Sequence, residues 1–369
     1  MIKAAFVRLG IVLVVLAACA GPAAPTSAPA VPSPTVATAP GTPPPAPRSS
    51  AGSSAGHPGP AARGYALLAD VPGEAGVVLL GGATGPRPPM PMDLADMWRY
   101  SPESGWMEMT PTLPDLAGPA PLEGTVFSFD TESGSAVFID IKGHIVTYDP
   151  ATNGWTEEPS GPGPTALLGA AMVYDSGSDR MIVFGGLDLE TFEEHDETWA
   201  YHVDSSVWER ELPTRGPSPR NFPAMAYDAG SDRVILFGGA TGEATVVGDT
   251  WAYDHDGDGW IEMAPSLSPP ARTYAAMVYD ARRDRVVLFG GSEDGETGSL
   301  GDLWEYDIES NRWIEVETSD GPAARGWHAM AYDQATGLSV IFGGGRSRTT
   351  YTAETWVLDA TGRSWHHAA

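Results

Sequence analysis

The chain of 369 residues holds a single cysteine, which excludes an intrachain disulfide framework and any metal cluster built from several thiolates. Basic residues are scarce: 21 Lys and Arg stand against 48 Asp and Glu, a formal charge of −27. Such a balance repels nucleic acid and anionic lipid surfaces, and suits either plain solubility or a basic partner. Histidines number eight and are scattered, so no Ser/His/Asp grouping can be argued from spacing. The N-terminal apolar run, Leu9 to Ala18, is too short for a comfortable membrane span.

That run follows Lys3 and Arg8 and ends Leu16-Ala17-Ala18-Cys19. A charged start, an apolar stretch and a small-residue end describe a secretory signal. The Leu-Ala-Ala-Cys ending resembles the lipobox of bacterial lipoproteins. The resemblance implies removal of residues 1–18, lipidation of Cys19, and a protein anchored to the outer face of the bacterial cytoplasmic membrane or elsewhere in the envelope. Residues 20–62 are nearly all Ala, Pro, Ser, Thr and Gly. Such a stretch lacks the apolar area to offset its ordering entropy and reads as an extended tether. The expected layout is a signal at 1–18, a lipidated tether at 19–62 and one folded domain at 63–369.

Within that domain the sequence repeats. SDRMIVFGG at 178–186 returns as SDRVILFGG at 231–239 and RDRVVLFGG at 283–291. Double glycines stand at Gly81-Gly82, Gly185-Gly186, Gly238-Gly239, Gly290-Gly291 and Gly343-Gly344. Each is followed by a Trp: Trp98, Trp199, Trp251, Trp304 and Trp356. A second series runs Trp106, Trp155, Trp208, Trp260, Trp313 and Trp365. Each unit reads as four short strands joined by Gly-, Asp- and Ser-rich turns. The first strand carries small residues (Ala224, Ala276, Ala329), and the second is a continuous apolar run suited to burial on both faces. No unit can bury such surface alone, so six of them must stack and close. Radial closure predicts an all-β, six-bladed β-propeller with four antiparallel strands per blade.

An apolar strand ending in Gly-Gly, then Trp-x-Tyr-Asp, then a further Trp resembles the kelch repeat. The resemblance covers about five-sixths of the chain and implies a propeller whose inner-strand starts line a ligand-binding face. The second unit departs from it: SAVFIDIKGHIVTYDP puts Ile139-Asp140 where the glycines should be and shortens the next loop. That unit is expected to form a degraded blade with a notch beside it.

Eighteen residues before the double glycines stand Arg63, Arg220, Arg272 and Arg325, each followed two residues later by Tyr65, Phe222, Tyr274 or Trp327. Side chains at i and i+2 of a strand share a face, so four blades would offer guanidinium groups and rings around one rim. Guanidinium groups suit carboxylates, and flat rings suit sugar faces or peptide side chains. The competing reading is packing, with each Arg bonded to a neighbouring loop and the rings buried between blades. His328, beside Trp327, joins this ligand-binding set. Leu167 in the third unit and Leu122 or Glu123 in the second break the ring.

Two acidic stretches are weaker candidates for a divalent cation such as Ca2+. One is LDLETFEEHDETW, with Glu193 and His195; the other is DHDGDGW, with Asp254, Asp256 and Asp258. The second opens like an EF-hand loop, but Pro265 stands at its twelfth position and its equivalents in other units are hairpin turns. No cofactor is expected. Galactose-oxidase-like copper enzymes share kelch-type blades, but their cofactor needs a Cys bonded to a Tyr, which Cys19 in the lipobox leaves unavailable. The functional expectation is a non-catalytic module that binds a protein or a glycan at the cell surface. The alternative is a sugar-active enzyme resembling kelch-type sialic acid mutarotases.

Overall fold

Alternating buried strands and tight turns fold here into six separate four-stranded antiparallel sheets, each contiguous in sequence. A computed structural model describes residues 59–84, 94–111, 126–140, 143–159, 161–165, 167–242, 245–257 and 259–368. These belong to one compact unit, Gly59–Ala369. Among the described residues there is no helix. Blade 4 shows the pattern: Ala224–Asp228 innermost, then Arg233–Phe237, Thr250–Asp254 and Gly259–Met263 outermost. The other innermost strands are Leu67–Asp70, Val126–Phe129, Ala171–Asp175, Ala276–Asp280 and Gly326–Asp333. In blade 6 the short strand Thr350–Tyr351 adds a hairpin to the long strand Leu338–Ser347.

The hydrophobic core is six clusters, one at each junction between neighbouring blades. Ala224, Ala226 and Phe237 of blade 4 pack with Val286, Tyr306 and Trp313 of blade 5. Val77, Leu79 and Trp106 of blade 1 pack with Ala331, Val340 and Phe342 of blade 6, which closes the ring. Closure uses no exchanged strand, because all four strands of blades 1 and 6 come from their own units. Side chains staple the seams instead. The outer-strand Trp of one blade donates to a Thr of the blade before it: Trp260 to Thr198 at 2.8 Å, Trp313 to Thr250 at 3.0 Å, and Trp106 to Thr355 across the closure at 2.7 Å.

The double glycine serves the same seams. The second Gly donates its N–H to the carbonyl of the next blade's inner Arg, at 2.9 Å in Gly186–Arg220, Gly239–Arg272, Gly291–Arg325 and Gly344–Arg63. The first Gly has positive φ, and at Gly238 a Cβ would stand 2.3 Å from the Arg272 carbonyl oxygen. Only glycine permits both the left-handed backbone and that approach. Blade 2, with Ile139-Asp140 here, faces the blade whose Arg position is Leu167, so the two irregularities lie across one seam.

At the other end of the inner strands an Asp closes each one. Asp130, Asp175, Asp228, Asp280 and Asp333 accept backbone N–H groups from two and three residues ahead at 2.8–3.2 Å. These are the turn bonds expected of Asp at such positions.

Candidate functional site

The face where the inner strands begin carries the four Arg-x-aromatic segments. The shared rim of guanidinium groups and rings expected there does not form, because the backbone turns between the two residues. Tyr65, Phe222, Tyr274 and Trp327 have φ of 58°, 49°, 56° and 59°. A left-handed residue breaks strand alternation, so Arg and ring point to different surroundings.

The arginines turn into their own blades. All four are 1–2% exposed. In blade 4, Arg220 Nε donates to the Ser218 carbonyl at 3.0 Å, Nη1 to the Gly238 carbonyl at 2.9 Å, and Nη2 to Ser218 Oγ at 3.0 Å. The Asp249 carboxylate takes the fork at 2.6 and 2.8 Å, which occupies all five N–H groups. Asp96 and Asp302 receive Arg63 and Arg272 in the same bidentate way, and Glu354 accepts Arg325 Nη2 at 2.5 Å. The same carboxylates accept the indole N–H of Trp98, Trp251, Trp304 and Trp356. Burial works against ionisation of Asp249, but the hydrogen bonds and charge of Arg220 outweigh it and hold its pKa below the usual carboxylate range. Asp96 and Asp302 behave alike beside their arginines. Each of these buried guanidinium groups is thus turned toward the acid and carbonyls of its own blade rather than toward a shared rim. The motif Arg, Gly-Gly carbonyl, acid and Trp is a staple within blades 1, 4, 5 and 6.

The aromatics converge on the axis. Phe222 and Tyr274 have ring centroids 4.5 Å apart, Tyr274 and Trp327 5.1 Å, and Tyr65 and Tyr274 6.0 Å at 90°. Their backbones link around the hub, Tyr65 N–H to the Trp327 carbonyl at 2.8 Å and Phe222 N–H to the Gly169 carbonyl at 2.6 Å. Gly169 holds the equivalent place in blade 3, with φ of 68°. A cavity of about 160 Å³ opens among Tyr65, Phe222, Tyr274, Trp327, Gly169 and His328. Burial raises the pKa of both Tyr65 and Tyr274, so both hydroxyls are neutral at physiological pH. His328 is 7% exposed and packs edge-on against Phe289 at 5.4 Å. Burial, then the charge of Arg325, pushes its pKa down to about 3, so the imidazole is uncharged.

Two contributors escaped the sequence reading. Arg348 and Tyr351, on the blade 6 hairpin, reach over the mouth. Arg348 Nε donates to the Gly295 carbonyl at 2.8 Å and Nη2 to the Tyr274 hydroxyl at 3.1 Å, with Cζ 5.6 Å from the Tyr274 ring centre. Tyr351 packs edge-on against Tyr65 at 6.4 Å and would collide with any Cβ on Gly64. A signal existed: the corresponding loops of units three, four and five hold several acids and no Lys or Arg, whereas GGGRSRTTY holds two Arg.

The acidic candidates lie elsewhere. Asp254 pairs with Arg233 at 2.8 Å. His195 Nδ1 stands 3.8 Å from Glu197, whose other oxygen pairs with Arg210. Among the described residues no three His, Cys, Asp or Glu side chains are grouped to hold a metal ion. Cys19, Leu122, Glu123 and Asp258 fall outside the described residues.

Comparison with known proteins agrees with the architecture. Residues 190–369 match the family model described as the Attractin/LZTR1 beta-propeller. Mei4-dependent protein 6 of Schizosaccharomyces pombe is 31% identical over 160 residues, 40% of this chain and 23% of that protein. Multiple epidermal growth factor-like domains protein 8 of mouse is 29% identical over 209 residues, 54% of this chain but 7% of that protein. Kelch domain-containing protein 2 of Bos taurus is 28% identical over 190 residues, 45% of each. The chain thus spans less than half the length of these relatives.

Proposed function

We propose that this kelch-like β-propeller is a non-catalytic binding module that receives a segment of a partner protein at its aromatic mouth. The carrying observation is that four rings from four separate blades converge on one cavity, each held on a left-handed backbone. Non-glycine residues in that region cost about 1 kcal/mol or more each, and such strain collects at functional sites. Rigid rings at a concave hub offer large contact area with little side-chain entropy to lose. Propellers of this kind commonly bind proteins, and the kelch likeness supports the same use here.

An enzymatic reading finds less support at this mouth. A general base must work near neutrality, and an imidazole with a pKa of about 3 is a poor proton acceptor. The Leu-Ala-Ala-Cys segment supports placing the module outside the cytoplasmic membrane, lipid-anchored through Cys19 on its proline-rich tether.

The test is selection of displayed random peptides on residues 59–369, followed by titration into Phe222→Ser and Leu212→Ser variants. Leu212 is 79% exposed and lies outside the cavity lining. Selected peptides should lose about tenfold or more in affinity with Phe222→Ser, the scale of one good apolar anchor, and nothing with Leu212→Ser. Equal binding to both folded variants would move the binding surface away from the mouth.

A further inference from the structure

The hairpin of blade 6 seats a cation of its own on a neighbouring blade. Arg348 stands at its tip, between strand Leu338–Ser347 and strand Thr350–Tyr351, and its side chain lies against blade 5. Tyr274 of that blade offers its ring, with the centre 5.6 Å from Cζ, and its hydroxyl, which accepts from Nη2 at 3.1 Å. The Gly295 carbonyl, in the loop of the same blade, accepts from Nε at 2.8 Å. Burial works against the charge, but the Tyr274 and Tyr65 phenols and the Glu296 carboxylate outweigh it and hold the Arg348 pKa above the ordinary guanidinium value. A ring face, neutral oxygen acceptors and a nearby carboxylate are the groups that recognise a guanidinium.

The hairpin that delivers this cation is lightly held. It adds two register pairs to the blade, Gly345 with Tyr351 and Ser347 with Thr350, and the register shifts between them. GRSRTT at 345–350 brings no large apolar side chain. Beside Arg348, a second tie to blade 5 is Ser299 Oγ, which donates to the Arg346 carbonyl at 3.0 Å. A segment with little apolar burial belongs to the part of a fold that opens locally. The loop beneath it is acidic, SEDGET at 292–297, in a chain of net charge −27. Such a surface draws cationic partners rather than anionic ones.

We infer that Arg348 is a tethered stand-in: it fills a receptor on blade 5, made of Tyr274, the Gly295 carbonyl and Glu296, that takes an arginine side chain of a basic partner when the hairpin opens. This rests on the mouth being the binding surface, since Tyr274 also lines the cavity there. The hairpin is then an autoinhibitory strap. A receptor closed by a group of its own chain binds an outside ligand more weakly, in proportion to the fraction of open molecules. A hairpin open about one-tenth of the time weakens a partner about tenfold.

Calorimetric titration of residues 59–369 with acetyl-argininamide and its uncharged isostere acetyl-citrullinamide tests this on the wild type, Arg348→Ala and Ser299→Ala. The first substitution empties the receptor, and the second loosens the hairpin without touching the receptor, so it carries the test if Arg348→Ala does not fold. Acetyl-argininamide should bind Arg348→Ala about tenfold or more tightly than the wild type, and Ser299→Ala should gain in the same direction. The gain should be absent with acetyl-citrullinamide, and Glu296→Gln added to Arg348→Ala should reduce it. Equal affinity of acetyl-argininamide for the wild type and both folded variants would overturn the inference, as would equal affinity for the two probes. An arginine that merely braces the mouth predicts the opposite sign, weaker binding once it is removed. Display-selected peptides that depend on Phe222 but bind Arg348→Ala no better than the wild type would also overturn the strap, while leaving the mouth as the binding surface. Loss of all binding dependence on Phe222 would remove both.

Discussion

Two kinds of arginine stand near this propeller's hub, and their energetics differ. Arg220 is buried against Asp249 in a blade, and removing it strands a carboxylate that keeps only 28% side-chain exposure. Breaking a buried pair costs about 3–5 kcal/mol, and the partial exposure of Asp249 places Arg220→Ala near the lower end. Urea unfolding should show that loss, whereas Arg348→Gln, which loses bonds to the Gly295 carbonyl and the Tyr274 hydroxyl but breaks no bidentate carboxylate pair, should cost less. The Asp249 pKa lies below its unfolded value. The stability it contributes is therefore present at neutral pH and is lost as pH falls below the ordinary carboxylate range. Arg220→Ala should flatten that acid limb of the stability profile.

At the scale of strands and blades, the seams carry the fold. Thr250→Val keeps the shape but leaves the indole N–H of Trp313, a fully buried ring, without an acceptor. Such a group costs about 1–3 kcal/mol, and a cycle with Trp313→Phe should recover most of it. The seams where Met97 and Leu303 replace this Thr show the consequence in the native chain, for Trp155 and Trp365 both lack a partner there. Blades, strand number and the glycine pairs were legible in the sequence because periodic burial and turn chemistry are local. The fate of Arg63, Arg220, Arg272 and Arg325 was not. It turns on one left-handed residue between each Arg and its ring, and φ cannot be read from letters that are not glycine. The four rings themselves gather near the axis. Arg348 escaped because its role depends on a hairpin folding over a neighbouring blade, a contact between units that a register of repeats does not display. The segments GPAARGY at 59–65 and GPAARGW at 321–327 mark the same inner entrance twice. A Cβ would stand 3.3 Å from Trp106 at Gly59 and 2.7 Å from Trp365 at Gly321.

For the whole molecule, the join between first and last blades has a pH-dependent contact of its own. Interior seams use a Tyr hydroxyl to accept a turn N–H from the preceding blade, as Tyr227 does from Gly177, Tyr279 from Gly230 and Tyr332 from Arg282. At the join Ala69 holds that position. Gly76 N–H instead donates to Asp333 at 3.0 Å and Gln334 N–H to Asp70 at 3.3 Å. Burial, then the nearby Asp333 carboxylate, pushes Asp70 up to about 7. A raised carboxylate pKa means the folded state holds a proton that the unfolded chain releases near pH 4. The contribution is full below pH 4 and is lost as pH rises through about 7. Asp70→Asn should remove this slope between pH 5 and 8 in thermal unfolding, and a slope unchanged in the variant would refute the assignment.

Because that join repeats the Trp–Thr staple and the glycine–carbonyl bond of the interior seams, no blade is privileged as the first. Val316 and Gly321 are the counterparts of Ala368 and Gly59, and four residues separate them. A circular permutant with its old ends bridged by about four residues and a new opening after Glu211 should therefore assemble the same ring, with strand order in the gene decoupled from position around the axis.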